Sequence, residues 1–246
     1  KKNYKKIHHA LNRSSLIICS SNFTKNLILK NWETKKINIS VIPPTYSLTN
    51  EQIFTKQLKK SKIINMISLS RLDKRKGHKY LLNSIYNLLN KNLIKNINWY
   101  ICGEGPLKNE LKKTVKELNL SAYVKFLGNV SNYEKFKLLK TSDLFLMPSI
   151  KLNNSVEGFG ISYIEAAKYG VPSISGIDGG VLDAVVHNKT GWNVDPLDPI
   201  QLNKIIYEAI TNHKKRNKLG INAKNNFVKK FSSEIVFTKF LNQLKK

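Results

Sequence analysis

The sequence predicts an α/β protein built on a doubly wound parallel sheet. Short apolar runs alternate with amphipathic stretches of helical spacing along most of the chain. Hydrophobic residues make up 41% of the 246 residues, enough for a sizeable core and against a disordered polycation. No apolar run approaches the roughly 18 residues of a membrane-spanning helix. The opening Lys1-Lys2-Asn3-Tyr4 has no apolar signal segment behind its charges. Two cysteines, Cys19 and Cys102, are too few for a disulfide framework or a zinc cluster, and a reducing, cytoplasmic setting follows as the default.

The elements follow in order. Ser15 to Cys19 reads as a strand, Ser20-Ser21-Asn22 as caps, and Phe23, Leu27 and Lys30 to Trp32 as a helix of about three turns. Ile37 to Ile42 alternates as a second strand and is ended by Pro43-Pro44, since proline supplies no ladder donor. Residues 45–62 are polar and Lys-rich and read as a linker. The pattern restarts at Ile63 to Leu69, a buried strand. Leu81, Ile85, Leu88 and Leu89 then mark one helix face. Asn98 to Cys102 is a strand stopped by Gly103-Glu104-Gly105-Pro106, and Leu107, Leu111, Val115 and Leu118 line the next helix. Tyr123 to Leu127 is a strand closed by Gly128, Phe136 to Leu139 belong to a short helix, and Leu144 to Met147 is a strand ended by Pro148. Ser162 to Tyr169 is a helix with Gly170 as a left-handed stop. Val171 to Ile174 and Thr190 to Val194 are strands; Leu202 to Ile210, Asn217 to Phe231 and Ile235 to Leu244 are helices.

Residues 63–231 thus form one complete domain. Residues 1–44 form the end of an earlier one, because two strands and a helix bury no sheet alone. Either the front of a longer chain or a partner chain supplies the rest of that sheet.

The charge is large, with 42 Lys+Arg against 16 Asp+Glu and a net +26. Only Arg13, Arg71, Arg75 and Arg216 are arginines, and sequence-reading nucleic-acid sites favour arginine's fork. A solvated polar face is the leading reading. An anionic membrane surface or anionic substrate comes second, and nucleic acid is the least favoured partner.

Ligands of open parallel sheets sit beyond the carboxyl ends of the strands. Four clusters lie there. Ser70 to Gly77 places Arg71 and Lys76 across one loop, where two cations can hold a diphosphate from two sides or simply be solvated. Gly103 to Pro106 lets backbone approach a ligand or makes a plain turn; it is neither a dinucleotide fingerprint nor a P-loop. Glu157-Gly158-Phe159-Gly160-Ile161 precedes Glu165 by a helix start suited to an anion. Eight residues of helix span about 12 Å, comparable to the separation of the two sugar rings of a nucleoside-diphosphate sugar. Ser175 to Gly180 is a flexible loop that either closes over a ligand or turns. None of the five histidines is given a role, and Cys19 and Cys102 read as core.

The order Ser70-Arg71-Leu72 … Lys76-Gly77, Ile101 to Pro106, Val124 to Gly128, Pro148-Ser149, Glu157-Gly158-Phe159-Gly160 … Glu165-Ala166, Gly170-Val171-Pro172, Gly179-Gly180 and Thr190-Gly191 resembles the C-terminal half of retaining glycosyltransferases of family 4. The likeness covers residues 15–245. It implies a GT-B fold, two Rossmann-like domains with the site in the cleft between them. Residues 1–44 then end the N-terminal domain, 45–62 are a linker, 63–231 are the nucleotide-sugar domain, and 232–246 are a C-terminal helix packing back toward the N-terminal domain. The resemblance implies that Arg71 and Lys76 neutralise the donor diphosphate. Glu157 would bind the transferred sugar at the reaction centre, as a catalytic residue with Arg71 and Lys76, and Glu165 would hold the ribose. Gly158, Phe159, Gly160 and Ile161 would face sugar and phosphates through their backbone, and Asn129 and Val130 would meet the base. Ser70, where the family usually has Gly, and Gly103 complete the donor site.

The implied donor is a UDP- or GDP-sugar, with no cofactor and no metal; no Asp-x-Asp occurs. The implied acceptor is a glycan or a lipid-linked molecule, and the implied location is cytoplasmic, with docking at the inner face of a membrane as an option. By itself the chain is expected to bind donor but not to turn over. A nucleotide-sugar epimerase of the same fold, or a basic non-catalytic module binding membrane or a partner subunit, remain the alternatives.

Overall fold

A computed structural model of the chain describes residues 2–32, 38–46 and 63–245. The first part runs α1 (Lys2–Arg13), β1 (Leu16–Cys19), α2 (Asn22–Asn31) and β2 (Asn38–Val41). β1 and β2 pair in parallel as a two-stranded sheet. The second part runs β3 (Ile64–Leu69), α3 (His78–Asn90), β4 (Ile97–Cys102), α4 (Lys108–Glu117), β5 (Val124–Gly128), α5 (Asn132–Thr141), β6 (Leu144–Met147), α6 (Ile161–Lys168), β7 (Ser173–Ser175), α7 (Val181–Ala184), β8 (Gly191–Asn193), α8 (Pro199–Thr211) and α9 (His213–Lys230), followed by α10 (Ser233–Leu244).

Six strands form one sheet in the order β5-β4-β3-β6-β7-β8, every pair parallel. Alternate residues serve opposite faces: Met66, Leu144 and Leu146 enter one apolar cluster, whereas Ile67, Phe145 and Met147 enter the other. Both faces are buried under helices, which is why the central strands are continuous apolar runs rather than alternating ones. The order winds outward from β3 to β5 and then restarts at β6, so the direction of winding reverses between β3 and β6. Ligands of doubly wound sheets lie at that reversal. No helix among the described residues is long and apolar enough to cross a membrane.

Where the elements differ from the sequence reading, the causes are local. α1 was not anticipated, because Ile7, Ala10 and Leu11 are a thin apolar signal among Lys5, Lys6, His8 and His9. α9 begins four residues before the expected Asn217, since the Asn212 side chain accepts from the Lys215 N–H and starts the helix ahead of its first apolar residue. The strand expected at Val171 to Ile174 is Ser173–Ser175, after Pro172. Gly170 ends α6 at φ 68°, as expected. Of the expected linker, residues 47–62 lie outside the described residues. Thr45 and Tyr46 are anchored: the Thr45 hydroxyl donates to the Phe231 carbonyl at 2.7 Å, and Tyr46 packs against the core and bridges to Ser232. From α10, Gln243 accepts a 2.6 Å hydrogen bond from Ser40 of β2.

Candidate active site

The loop after β3 is shaped by Asp73 and Gly77. The Asp73 carboxylate accepts from the Arg75 N–H at 3.0 Å and starts a single 3-10 turn, Lys74–Lys76. Gly77 ends that turn at φ 78°, and a Cβ there would come 2.1 Å from the Pro148 carbonyl oxygen. The β3 loop therefore lies directly on the loop after β6, and the Ile150 N–H donates to the Arg75 carbonyl at 2.8 Å.

This packing delivers Arg75 and Lys76 to Glu157. Arg75 Nη1 donates to Glu157 Oε2 at 3.1 Å, and the Lys76 ammonium donates to the same oxygen. All three side chains are largely shielded from water, which strengthens charge-assisted hydrogen bonds. Glu157 Oε1 carries no hydrogen bond among the described residues. The sequence reading assigned Arg71 and Lys76 to a diphosphate; Lys76 lies on Glu157 together with Arg75, and Arg71 lies exposed on the neighbouring cleft wall. Arg75 was visible only as the middle of a basic triplet. The Asp73 cap was the signal that could have aimed it.

The Glu157 main chain is clamped from behind. Its carbonyl accepts from the Gly180 N–H at 2.8 Å. A Cβ on Gly180 would meet the Gly158 carbonyl oxygen at 1.9 Å and Ser21 Oγ at 2.6 Å. The loop Ser175 to Gly180 thus buttresses the Glu157–Gly158 turn and touches the first part of the chain. Asp183 of α7 extends that contact: its carboxylate accepts from the Asn22 N–H at 2.6 Å and from Asn22 Nδ2 at 2.9 Å. Ser21 was expected only as a helix cap, which it is for α2, and Asp183 was not anticipated.

Beyond Glu157, Gly158 faces open space, and Gly160 at φ 87° leads into α6, whose first turn no side chain caps. Its leading N–H groups form the positive end of the helix, beside the Glu157–Gly158 turn. Phe159 points the other way, into the core against Phe231 at 5.6 Å between ring centroids. Ile161 is half exposed.

One helical span along α6, Glu165 is nearly buried and accepts from Lys135 Nζ at 2.5 Å. Lys135 is held there by the capping box of α5, in which Ser131 and Glu134 exchange hydrogen bonds. Burial opposes the Lys135 ammonium, but the hydrogen bond and charge of Glu165 outweigh it, so its pKa rises above the ordinary lysine value. The Lys135 ammonium also lies 5.2 Å from the centre of the Tyr46 ring. The sequence reading missed Lys135, though the S-x-x-E signature at Ser131 places the helix start four residues before it.

Between these groups opens a cleft of about 440 Å³ at the carboxyl ends of β3 and β4, lined by Ser70, Arg71, Gly103, Asn129, Val130 and Lys135. The expected residues therefore form two adjoining groups. Glu157, Lys76, Gly158 and Gly160 stand at the β3–β6 reversal, and Ser70, Arg71, Gly103, Asn129 and Val130 line the cleft that reaches Glu165 through Lys135. Cys102 touches the cleft, but burial and the Glu134 charge push its thiol up to about 12, which leaves it an inert apolar filler.

A doubly wound sheet with a polar crevice at its reversal, two carboxylates and several cations defines a ligand-binding domain of the Rossmann type. Residues 49–226 match the family described as glycosyl transferases group 1, and the chain belongs to that family. It is 30% identical over 177 residues to the 2-deoxystreptamine N-acetyl-D-glucosaminyltransferase of Niallia circulans, covering 72% of this chain and 44% of that protein. It is 34% identical over 132 residues to the GDP-mannose-dependent alpha-(1-6)-phosphatidylinositol monomannoside mannosyltransferase of Mycobacterium tuberculosis, covering 53% and 34% respectively. The chain thus spans less than half the length of these two relatives. Among solved structures, HepE of Anabaena in complex with UDP and glucose superposes with a TM-score of 0.80 at 21% identity, covering 100% of this chain and 67% of that one. TarM of Staphylococcus aureus superposes at 0.80 and 23% identity over 98% of this chain and 46% of that one. These likenesses give the GT-B fold.

Proposed function

We propose that this chain carries the donor site of a retaining glycosyltransferase of family 4. In this reading the enzyme transfers a hexose from a UDP- or GDP-sugar to a glycan or lipid-linked acceptor. Residues 63–231 are the donor-binding domain, and residues 1–44 end an acceptor-binding domain that the whole protein supplies. The observation that carries the reading is that each carboxylate is held by a lysine: Glu157 by Lys76 beside the sheet reversal, and Glu165 by Lys135, which lines the adjoining cleft. Glu157 Oε1 accepts a sugar hydroxyl, Glu165 accepts the ribose hydroxyls once Lys135 yields or shares it, and Asn129 and Val130 meet the base with their backbone.

The chemistry asks for charge stabilisation. As the bond from the anomeric carbon to the diphosphate breaks, negative charge grows on the departing phosphate oxygens. Lys76, held by Glu157, and the first N–H groups of α6 are fixed donors for that charge, and fixed donors need no reorganisation at the transition state; Arg71 adds a further cation from the cleft wall. The acceptor oxygen then bonds to the anomeric carbon on the face the phosphate leaves. Its proton passes to the leaving phosphate oxygen, and configuration is retained. Glu157, already hydrogen-bonded to Arg75 and Lys76, positions the sugar and stabilises its developing positive charge. The lysine-rich surface suits docking on an anionic leaflet beside a lipid-linked acceptor.

Names of relatives support both donor bases: GDP-mannose is in the name of the mycobacterial relative, and UDP is bound in the Anabaena structure. Calorimetric titration of the chain with UDP-glucose, UDP-N-acetylglucosamine and GDP-mannose tests the reading. Binding of at least one, weakened about tenfold or more by Arg71→Ala, is the result expected for loss of a charge-assisted contact. Binding of none, or an Arg71→Ala variant that binds like the parent, contradicts it.

A further inference from the structure

Among the buried polar groups outside that mechanism is a histidine behind the cleft. His78, the first residue of α3, is 2% exposed. Its ring stacks on Trp99, with centroids 6.4 Å apart and planes 12° apart. Its Nε2 lies 3.4 Å from Ser70 Oγ, and its Nδ1 has no hydrogen-bond partner. The Trp99 indole N–H is already committed to Ser68 Oγ at 3.0 Å.

Burial, reinforced by the Lys76 charge, lowers the His78 pKa to about 4, so the imidazole is neutral near pH 7 and holds a single N–H. Two tautomers compete. A proton on Nδ1 leaves a buried donor with no acceptor. A proton on Nε2 leaves only a bare lone pair at Nδ1 and gives the donor an acceptor in Ser70. Orphaned buried donors are the rarer and costlier of the two. The Nε2–H tautomer therefore stands, and Ser70 Oγ accepts from it. Ser70 makes no other side-chain hydrogen bond among the described residues, and it lines the cleft next to Arg71.

We propose that His78 is a positioning residue: it holds Ser70 Oγ as an acceptor, so that the Ser70 O–H is turned into the cleft as a donor to a diphosphate oxygen. Ser70 is then a ligand contact with a buried support. In identifying the anion as a donor diphosphate this rests on the proposed function, but the contact itself requires only a diphosphate.

Two measurements on the full chain test it. Imidazole ¹⁵N NMR reads the tautomer directly. Nε2–H is expected at neutral pH; Nδ1–H overturns the proposal. Calorimetric titration with UDP, GDP and inorganic pyrophosphate, against uridine and guanosine, reads the contact. Ser70→Ala and His78→Phe are each expected to weaken the diphosphates about tenfold and the nucleosides not at all. The double variant is expected to be no weaker than either single one, and His78→Gln, which keeps a donor near Nε2, to recover part of the loss. Additive losses, equal losses for nucleosides, or a Ser70→Ala variant that binds pyrophosphate like the parent overturn the proposal. If His78→Phe does not fold, the Ser70→Ala titration and the NMR spectrum still decide. If UDP and GDP fail to bind while pyrophosphate binds through Ser70, the proposed function falls and this inference stands. If pyrophosphate does not bind either, the inference falls too.

Discussion

Lys76 and Glu157, eighty-one residues apart in sequence, are joined by a direct charge-assisted hydrogen bond beside the reversal of the sheet. Arg75 shares the same carboxylate oxygen at 3.1 Å. Breaking one arm leaves the other, so Lys76→Met is predicted to cost less than a fully buried ion pair, about 1–2 kcal/mol in urea unfolding. Glu157→Gln in the Lys76→Met background is predicted to add to that loss, since it also removes the carboxylate that holds Arg75. A Lys76→Met variant as stable as the parent would place this pair among ornamental surface contacts.

Lys135 and Glu165 form the second such pair, at 2.5 Å, where α5 meets α6. The folded Lys135 pKa lies above its ordinary value, so the pair contributes stability that is present below pH 10.5 and fades as pH rises beyond it. Lys135→Met strands a nearly buried carboxylate and is predicted to lower the midpoint of thermal unfolding at pH 8. A variant that melts at the parent's temperature would contradict this.

Asp183 and Asn22 tie the two parts of the chain together at 2.6 and 2.9 Å. The Asn22 amide stands in the first turn of α2 and has no acceptor within its own helix. Asp183→Ala is predicted to expose that amide and speed its hydrogen exchange by about tenfold or more, with the amides of β3 and β6 unchanged. Exchange at Asn22 that ignores the substitution would mean the clasp is open in solution.

His78 sets an acid limit on stability. Its folded pKa of about 4 lies below the ordinary histidine value of 6.5, so the unfolded chain binds the extra proton first. Stability is therefore predicted to be fully present above pH 6.5 and to fall as pH drops toward 4, by up to about 3 kcal/mol from this group. Urea unfolding of the parent and of His78→Phe across that window checks it: the variant's curve is predicted to be flatter by that amount.

Much of this architecture could be read from the chain because parallel strands buried on both faces write themselves as apolar runs. Ile64–Leu69 and Leu144–Met147 are such runs, and Gly and Pro punctuate them. Ser70 to Gly77, Gly103 to Pro106 and Glu157 to Gly160 follow the carboxyl ends of β3, β4 and β6, where a doubly wound sheet places its ligands. What stayed hidden were partnerships across distance. Arg75 reaches Glu157 from the 3-10 turn that Asp73 starts, a contact that spacing alone does not encode. Lys135 looked like one more lysine on a polar face until the fold brought α6 beside α5. Asp183 and His78 depend wholly on what packs against them.

The central claim is that Glu157 and Glu165 grip opposite ends of one activated sugar. It is tested most directly by titrating the parent, Glu157→Gln and Glu165→Gln with a nucleoside diphosphate and with its sugar derivative. The account predicts that Glu165→Gln weakens both ligands alike, whereas Glu157→Gln removes only the gain that the sugar brings. If both substitutions weakened the two ligands equally, or neither changed binding, the carboxylates would not divide one ligand between them.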